Sequence, residues 1–217
     1  MSAIARSAAC ALALAIAALH PGVLRAQPLE AVPFGGAILP MGQMVEQGNA
    51  NLSHRTGVAF GGRLDAWFWS SAGLELAVGY AMSGYHATST AGVSADTTGG
   101  LFTATGRFLY RFARTGPLSW QVSAGGGVMI HSGSFLDNMV SSGRRHLTGV
   151  VGLSGRFQAS EGTALVLSAE DYVYSVKLGG ITGITPQARL NNAVVVSLGI
   201  VVPLFAHGED DEYRAIR

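Results

Sequence analysis

Beyond its N-terminal segment, the 217-residue chain has no run of the ~18 apolar residues that a membrane-crossing helix needs. Charge is scarce too. Asp, Glu, Lys and Arg make up 12% of the residues, and the basic ones form no cluster of the kind nucleic acid requires. The single cysteine, Cys10, lies in a segment that reads as a secretory signal: Arg6, an apolar run over 8–19, a Pro21-Gly22 break, and expected cleavage after Ala26. Removal of residues 1–26 would take Cys10 away, leaving no disulfide and no thiol chemistry. It would also remove Arg6 and Arg25, leaving 12 basic against 13 acidic residues. The six histidines have no metal-ligand spacing, and Gly125-Gly126-Gly127 is followed by no lysine or helix that would make it a phosphate cradle. Close strand packing or a bulge suits that glycine run better, and no cofactor or metal is expected.

What the chain does have is apolar residues, 48% of the total, spread thinly among 30 glycines, about twice the usual ~7% usage. Residues 101–112, LFTATGRFLYRF, show how they are arranged. Phe102, Ala104, Gly106, Phe108, Tyr110 and Phe112 fall on one side, and Thr103, Thr105, Arg107, Leu109 and Arg111 on the other. In a soluble sandwich the arginines would have to point outward and the aromatics inward. A strand through a membrane reverses this, because its outer face meets lipid and its inner face meets water or other polar side chains.

Seven more segments read as strands: 32–41, 56–69, 74–83, 118–131, 146–157, 163–176 and 191–204. The first places Phe34, Gly36 and Ile38 on one face; the second sets Phe60, Leu64, Ala66 and Phe68 against Gly61, Arg63, Asp65 and Trp67. The connections alternate long and short, with irregular polar loops expected at 41–54, 84–99, 132–143 and 178–189, and tight turns at 70–73, 114–117 and 159–162. Trp67, Trp69, Tyr110, Phe112, Trp120 and Phe157 sit at the short-turn ends, where an interfacial aromatic girdle belongs, while Tyr80, Tyr85, Tyr172 and Tyr174 lie toward the long-loop ends. The fold class is therefore all-β: an eight-stranded antiparallel up-and-down transmembrane barrel over 27–205, with short periplasmic turns, long outer loops and a charged tail at 206–217.

Charges on inner faces must pair, since a buried charge without a partner is costly. Adjacent strands suggest Glu75 with Arg63 and Arg107, and Arg156 with Glu170, while Asp65 and Arg111 add one charge of each sign. An eight-stranded barrel is about filled by its own side chains, so a polar plug is expected rather than a wide pore. His131 with Ser132 and Ser134 is the one constellation that suggests an enzyme acting on lipid, but no carboxylate is placed to orient the histidine. Glu170 and Asp171 face opposite ways as strand neighbours, which places Asp171 at the outer rim, at headgroup level.

The whole mature pattern resembles the small eight-stranded bacterial outer-membrane barrels, the superfamily of the outer-membrane protein A barrel domain and outer-membrane protein W. Its most specific pieces are the closing VVVSLGIVVPLF and the LVLSAEDYVYS before it. The chain departs from that pattern where Phe205 falls out of phase after Pro203 and twelve residues follow. The resemblance implies an outer-membrane protein that meets lipid and lipopolysaccharide and is inserted by the barrel-assembly machinery. It also implies a non-enzymatic structural or surface-contact role through the outer loops, with a narrow solute conduit as the alternative and a lipid-modifying enzyme as a third. The loops carry no recognisable binding motif, so the external ligand stays open.

Overall fold

The computed structural model describes residues 29–47, 50–88, 94–133, 144–160, 162–176 and 189–204; the expected signal segment, the charged tail and Ser134 lie outside the described residues. Every regular element among them is a strand: β1 (Leu29–Pro40), β2 (Gln43–Gln47), β3 (Ala50–His54), β4 (Gly57–Trp67), β5 (Ala72–Thr88), β6 (Ser94–Thr115), β7 (Leu118–Ser132), β8 (Arg145–Ser160), β9 (Thr163–Val176) and β10 (Arg189–Pro203). Eight of them close a ring in which each pairs antiparallel with its neighbours, in the order β1, β4, β5, β6, β7, β8, β9, β10 and back to β1. Closure leaves no free edge in the membrane, where an unpaired backbone group costs several kcal/mol.

The alternation predicted for residues 101–112 holds along β6. Arg107 and Leu109 are buried inside, while Phe102, Phe108 and Tyr110 are exposed on the outer wall. Elsewhere the outer wall is Leu74, Leu76 and Val78 on β5, Leu165 and Leu167 on β9, and Leu198 and Ile200 on β10. At the short-turn end, Gly116 (φ 58°) and Gly162 (φ 83°) take the left-handed conformation that lets the chain reverse in a few residues.

Two expectations are corrected. Residues 41–54 are not an irregular loop: β2 and β3 form a hairpin, and β3 pairs with β5 at Asn51–His54 against Tyr85–Thr88. Nor is 84–99 a loop throughout, because β5 runs on to Thr88 and β6 starts at Ser94, fully paired. Both escaped the sequence pattern for one reason. Strands that rise above the membrane have no lipid face, so the apolar alternation that marks a strand is lost, and the edge of β5 that β4 leaves uncovered dictates the pairing. On β1 the shared face of Phe34 and Ile38 belongs to the interior: Ile38 is buried, and the Phe34 ring lies 4.4 Å from the Arg63 guanidinium carbon.

Candidate functional site

The lumen is layered. Near the short turns, Val32, Ala164, Val166 and Val201 pack into a small apolar cluster. A belt of charge crosses the barrel above it. The outer half is apolar again, with Ile38, Leu101, Met129, Val150, Tyr172 and Val195 among its packed residues. The buried Arg and Glu side chains of the lumen gather in this belt and below it.

The belt is built around Glu170 on β9. Its carboxylate meets Arg63 of β4 at 2.7 Å and Arg107 of β6 at 2.8 Å, and Arg107 also meets Glu75 of β5 at 3.1 Å. Hydrogen bonds complete the set. Arg63 donates to Ser168 (3.1 Å) and Ser197 (2.8 Å), Ser154 donates to Ser168 (3.0 Å), and Arg107 donates to the Tyr172 hydroxyl (2.6 Å), which donates to Glu170 (2.9 Å). All of these charged groups are buried, so each desolvated charge is opposed by a partner or a hydrogen bond. Asp65, also buried, stands opposite Glu75 in the β4–β5 register.

Arg156 does not pair with Glu170. It grips Glu30 in a bidentate contact at 2.6 and 2.8 Å, and the Trp67 indole donates to the same carboxylate at 3.0 Å. Sequence reasoning missed Glu30 because it precedes the expected start of the first strand. It mispaired Arg156 because it looked only to adjacent strands, whereas a lumen this narrow lets side chains meet across it. Trp67 is likewise a lumen residue, 4% exposed, with the Arg111 guanidinium 4.1 Å over its ring, so it stands apart from the girdle. Its place on the inner face with Arg63 and Asp65 was the available signal. Arg111 also donates to the Ser70 carbonyl at 3.2 Å. Trp69, Tyr110, Phe112, Trp120 and Phe157 all lie on the exposed outer wall at the short-turn end.

At the outer mouth three histidines from separate strands meet: the His131 ring lies 5.7 Å from that of His54 and 5.1 Å from that of His146, with Tyr174 at 5.6 Å and Tyr85 stacked on His54 at 5.0 Å. Both ring nitrogens of buried His131 have no hydrogen-bonding partner, whereas His54 Nε2 meets Ser83 Oγ. Ser132 does not join His131. Its hydroxyl donates to the Gly100 carbonyl at 3.3 Å, as expected of the next residue on a strand. Among the described residues no three His, Cys, Asp or Glu are grouped to hold a metal ion.

His54 lies on β3, above the apolar band, and burial pushes its pKa down to about 4 from 6.5. Its folded form therefore binds a proton less readily than its unfolded form, so its contribution is intact above pH 6.5 and declines as pH falls toward 4. Hydrogen exchange of β3 amides is expected to accelerate over that window, and His54→Phe should flatten the dependence. Farther out, exposed Asp96 meets Arg55 (2.8 Å) and His86 (2.7 Å), contacts that draw the Asp96 pKa below its ordinary value, the His86 hydrogen bond most of all.

Neither a family model nor a curated protein sequence matches the chain. Solved structures do. Outer membrane protein AlkL, solved in lipid bilayers, is similar with TM-score 0.55 and 16% identity over 84% of this chain and 94% of that one. Outer membrane protein OprG from Pseudomonas aeruginosa is similar with TM-score 0.53 and 12% identity over 83% of this chain and 96% of that one. At such identities the likeness is one of fold, and the fold is that of the small eight-stranded outer-membrane β-barrels.

Proposed function

We propose that this protein is a non-enzymatic barrel of the bacterial outer membrane, reached after removal of its signal segment. In this reading its lumen is plugged, and its role is structural or one of contact at the cell surface. The observation that carries it is the Arg63–Glu170–Arg107–Glu75 belt, which ties strands on opposite sides of the lumen together. A cavity above the belt, lined by Phe34, Ile38, Leu101, Tyr172 and Val195 among others, holds about 20 Å³, room for a single water. The exposed outer wall belongs in lipid and lipopolysaccharide, with insertion by the barrel-assembly machinery. The sheet of β2, β3 and the upper parts of β5 and β6 is the natural contact surface.

Reconstituted into planar bilayers, the full chain is expected to give no reproducible conductance steps; regular steps from the unaltered protein would overturn the plugged reading. A second reading, a narrow conduit for small apolar solutes, is favoured by the apolar outer half of the lumen. Barrel-dependent entry of an apolar dye into liposomes that stay tight to ions would select it over the first.

A further inference from the structure

The outer wall carries one polar pair where lipid should be. Asp171 lies on the outer face of β9, since its neighbour Glu170 is buried in the lumen. Below it on that face come Leu165, Leu167 and Ala169, and above it Val173. Its partners in register are Val151 on β8 and Val194 on β10. Asp171 therefore has apolar residues below it, above it and on both neighbouring strands. Its carboxylate accepts one hydrogen bond among the described residues, from the amide of Asn192, the next outward position on β10 above Val194, at 3.1 Å. Acyl chains offer neither donor nor acceptor, so an ionisable group here is costly unless something else satisfies it.

We infer that a second copy of this chain docks on this patch, the two barrels meeting side by side across a two-fold axis. The hydrogen-bonding inventory is self-complementary. The Asn192 amide has a second N–H and the Asp171 carboxylate a second oxygen, so a two-fold places each amide against the other copy's carboxylate. The adjacent wall is shallow. Ala169 lies directly below, and Gly149 on β8 has open space beside it, the nearest atom to an added Cβ being the Val173 oxygen at 4.0 Å. Small residues of this kind let two membrane surfaces approach closely enough for interchain hydrogen bonds. A lipid headgroup could meet the carboxylate from above, but it would not need the amide turned down to the same point.

The test places single cysteines in the full chain on a Cys10→Ser background, expressed in outer membranes and treated with a short bis-maleimide. Val173→Cys lies beside the pair; Val78→Cys lies on β5, across the ring. A cross-linked band of twice the monomer mass is expected for Val173→Cys, about tenfold stronger than for Val78→Cys. Adding Asp171→Leu or Asn192→Leu should lower that band about tenfold while heat-modifiable mobility on gels is kept, because leucine suits a lipid-facing site. The exchange Asp171→Asn with Asn192→Asp should retain it. Equal yields at the two cysteines, cross-linking indifferent to the leucine variants, or a Val173→Cys adduct only with a protein of another mass would each overturn the inference.

Discussion

Glu170→Ala is expected to remove the barrel's resistance to detergent at temperatures where the parent stays folded. Glu170 is 3% exposed and, among the described residues, is the one carboxylate in ion-pair contact with both Arg63 and Arg107. Without it, Arg63 keeps two serine hydroxyls but no acid, and Arg107 keeps Glu75 alone. Breaking a buried ion network from one side costs about 3–5 kcal/mol, because the remaining cations stay desolvated. Those cations can recover solvation by drawing water into the belt, so the same variant is expected to give conductance steps that the parent lacks. The readout is the fraction of unheated mobility retained on gels along a temperature series, with bilayer recordings beside it. A variant as stable and as silent as the parent would mean that the belt neither holds nor plugs the barrel. Glu75→Ala is expected to be milder, since Arg107 retains Glu170 and the Tyr172 hydroxyl.

Gly127→Val should be as damaging, for a steric reason. A Cβ at Gly127 would stand 2.0 Å from the Ala104 carbonyl oxygen and 2.7 Å from the Thr105 Cα, both backbone atoms of β6 that cannot swing aside. Strand pairing between β6 and β7 must then open, and overpacking of that kind typically costs ~1–3 kcal/mol or more. The internal control is Gly106→Val on β6 itself. That position faces lipid, and the nearest atom to an added Cβ is the Leu76 Cδ2 at 3.7 Å. The expected result is loss of the heat-modifiable species for Gly127→Val and its retention for Gly106→Val. If both variants fold equally, the close approach of β6 and β7 is not what demands glycine.

Most of the barrel could be read from the chain because lipid imposes a period. Residues that face acyl chains must be apolar at every second position, so Phe102, Phe108 and Tyr110, or Leu165 and Leu167, announce both the strand and its outward face. The same rule gave the inner face of β6, and so placed Arg107 in the lumen. It failed where lipid makes no demand. The β2–β3 hairpin and the raised parts of β5 and β6 stand in water.

The candidate site was legible by residue type and illegible by partner. Arg63, Glu75, Arg107, Arg156 and Glu170 could all be called interior charges, because a polar residue on the face opposite lipid has nowhere else to go. Which of them touch is a property of the ring. Closing eight strands brings β9 against β4 and β6, joins Arg156 of β8 to Glu30 of β1, folds Trp67 under Arg111, and gathers His54, His131 and His146 from three distant segments. The sequence by itself determined the eight strands of the ring, the lipid face of most of them and the presence of charges in the interior, because those follow from periodicity along one segment in contact with lipid. Only the tertiary structure decided the pairing of charges, the layering of the lumen and the contact between Asp171 and Asn192, because these depend on strand register and on distances across a narrow barrel that no local pattern encodes.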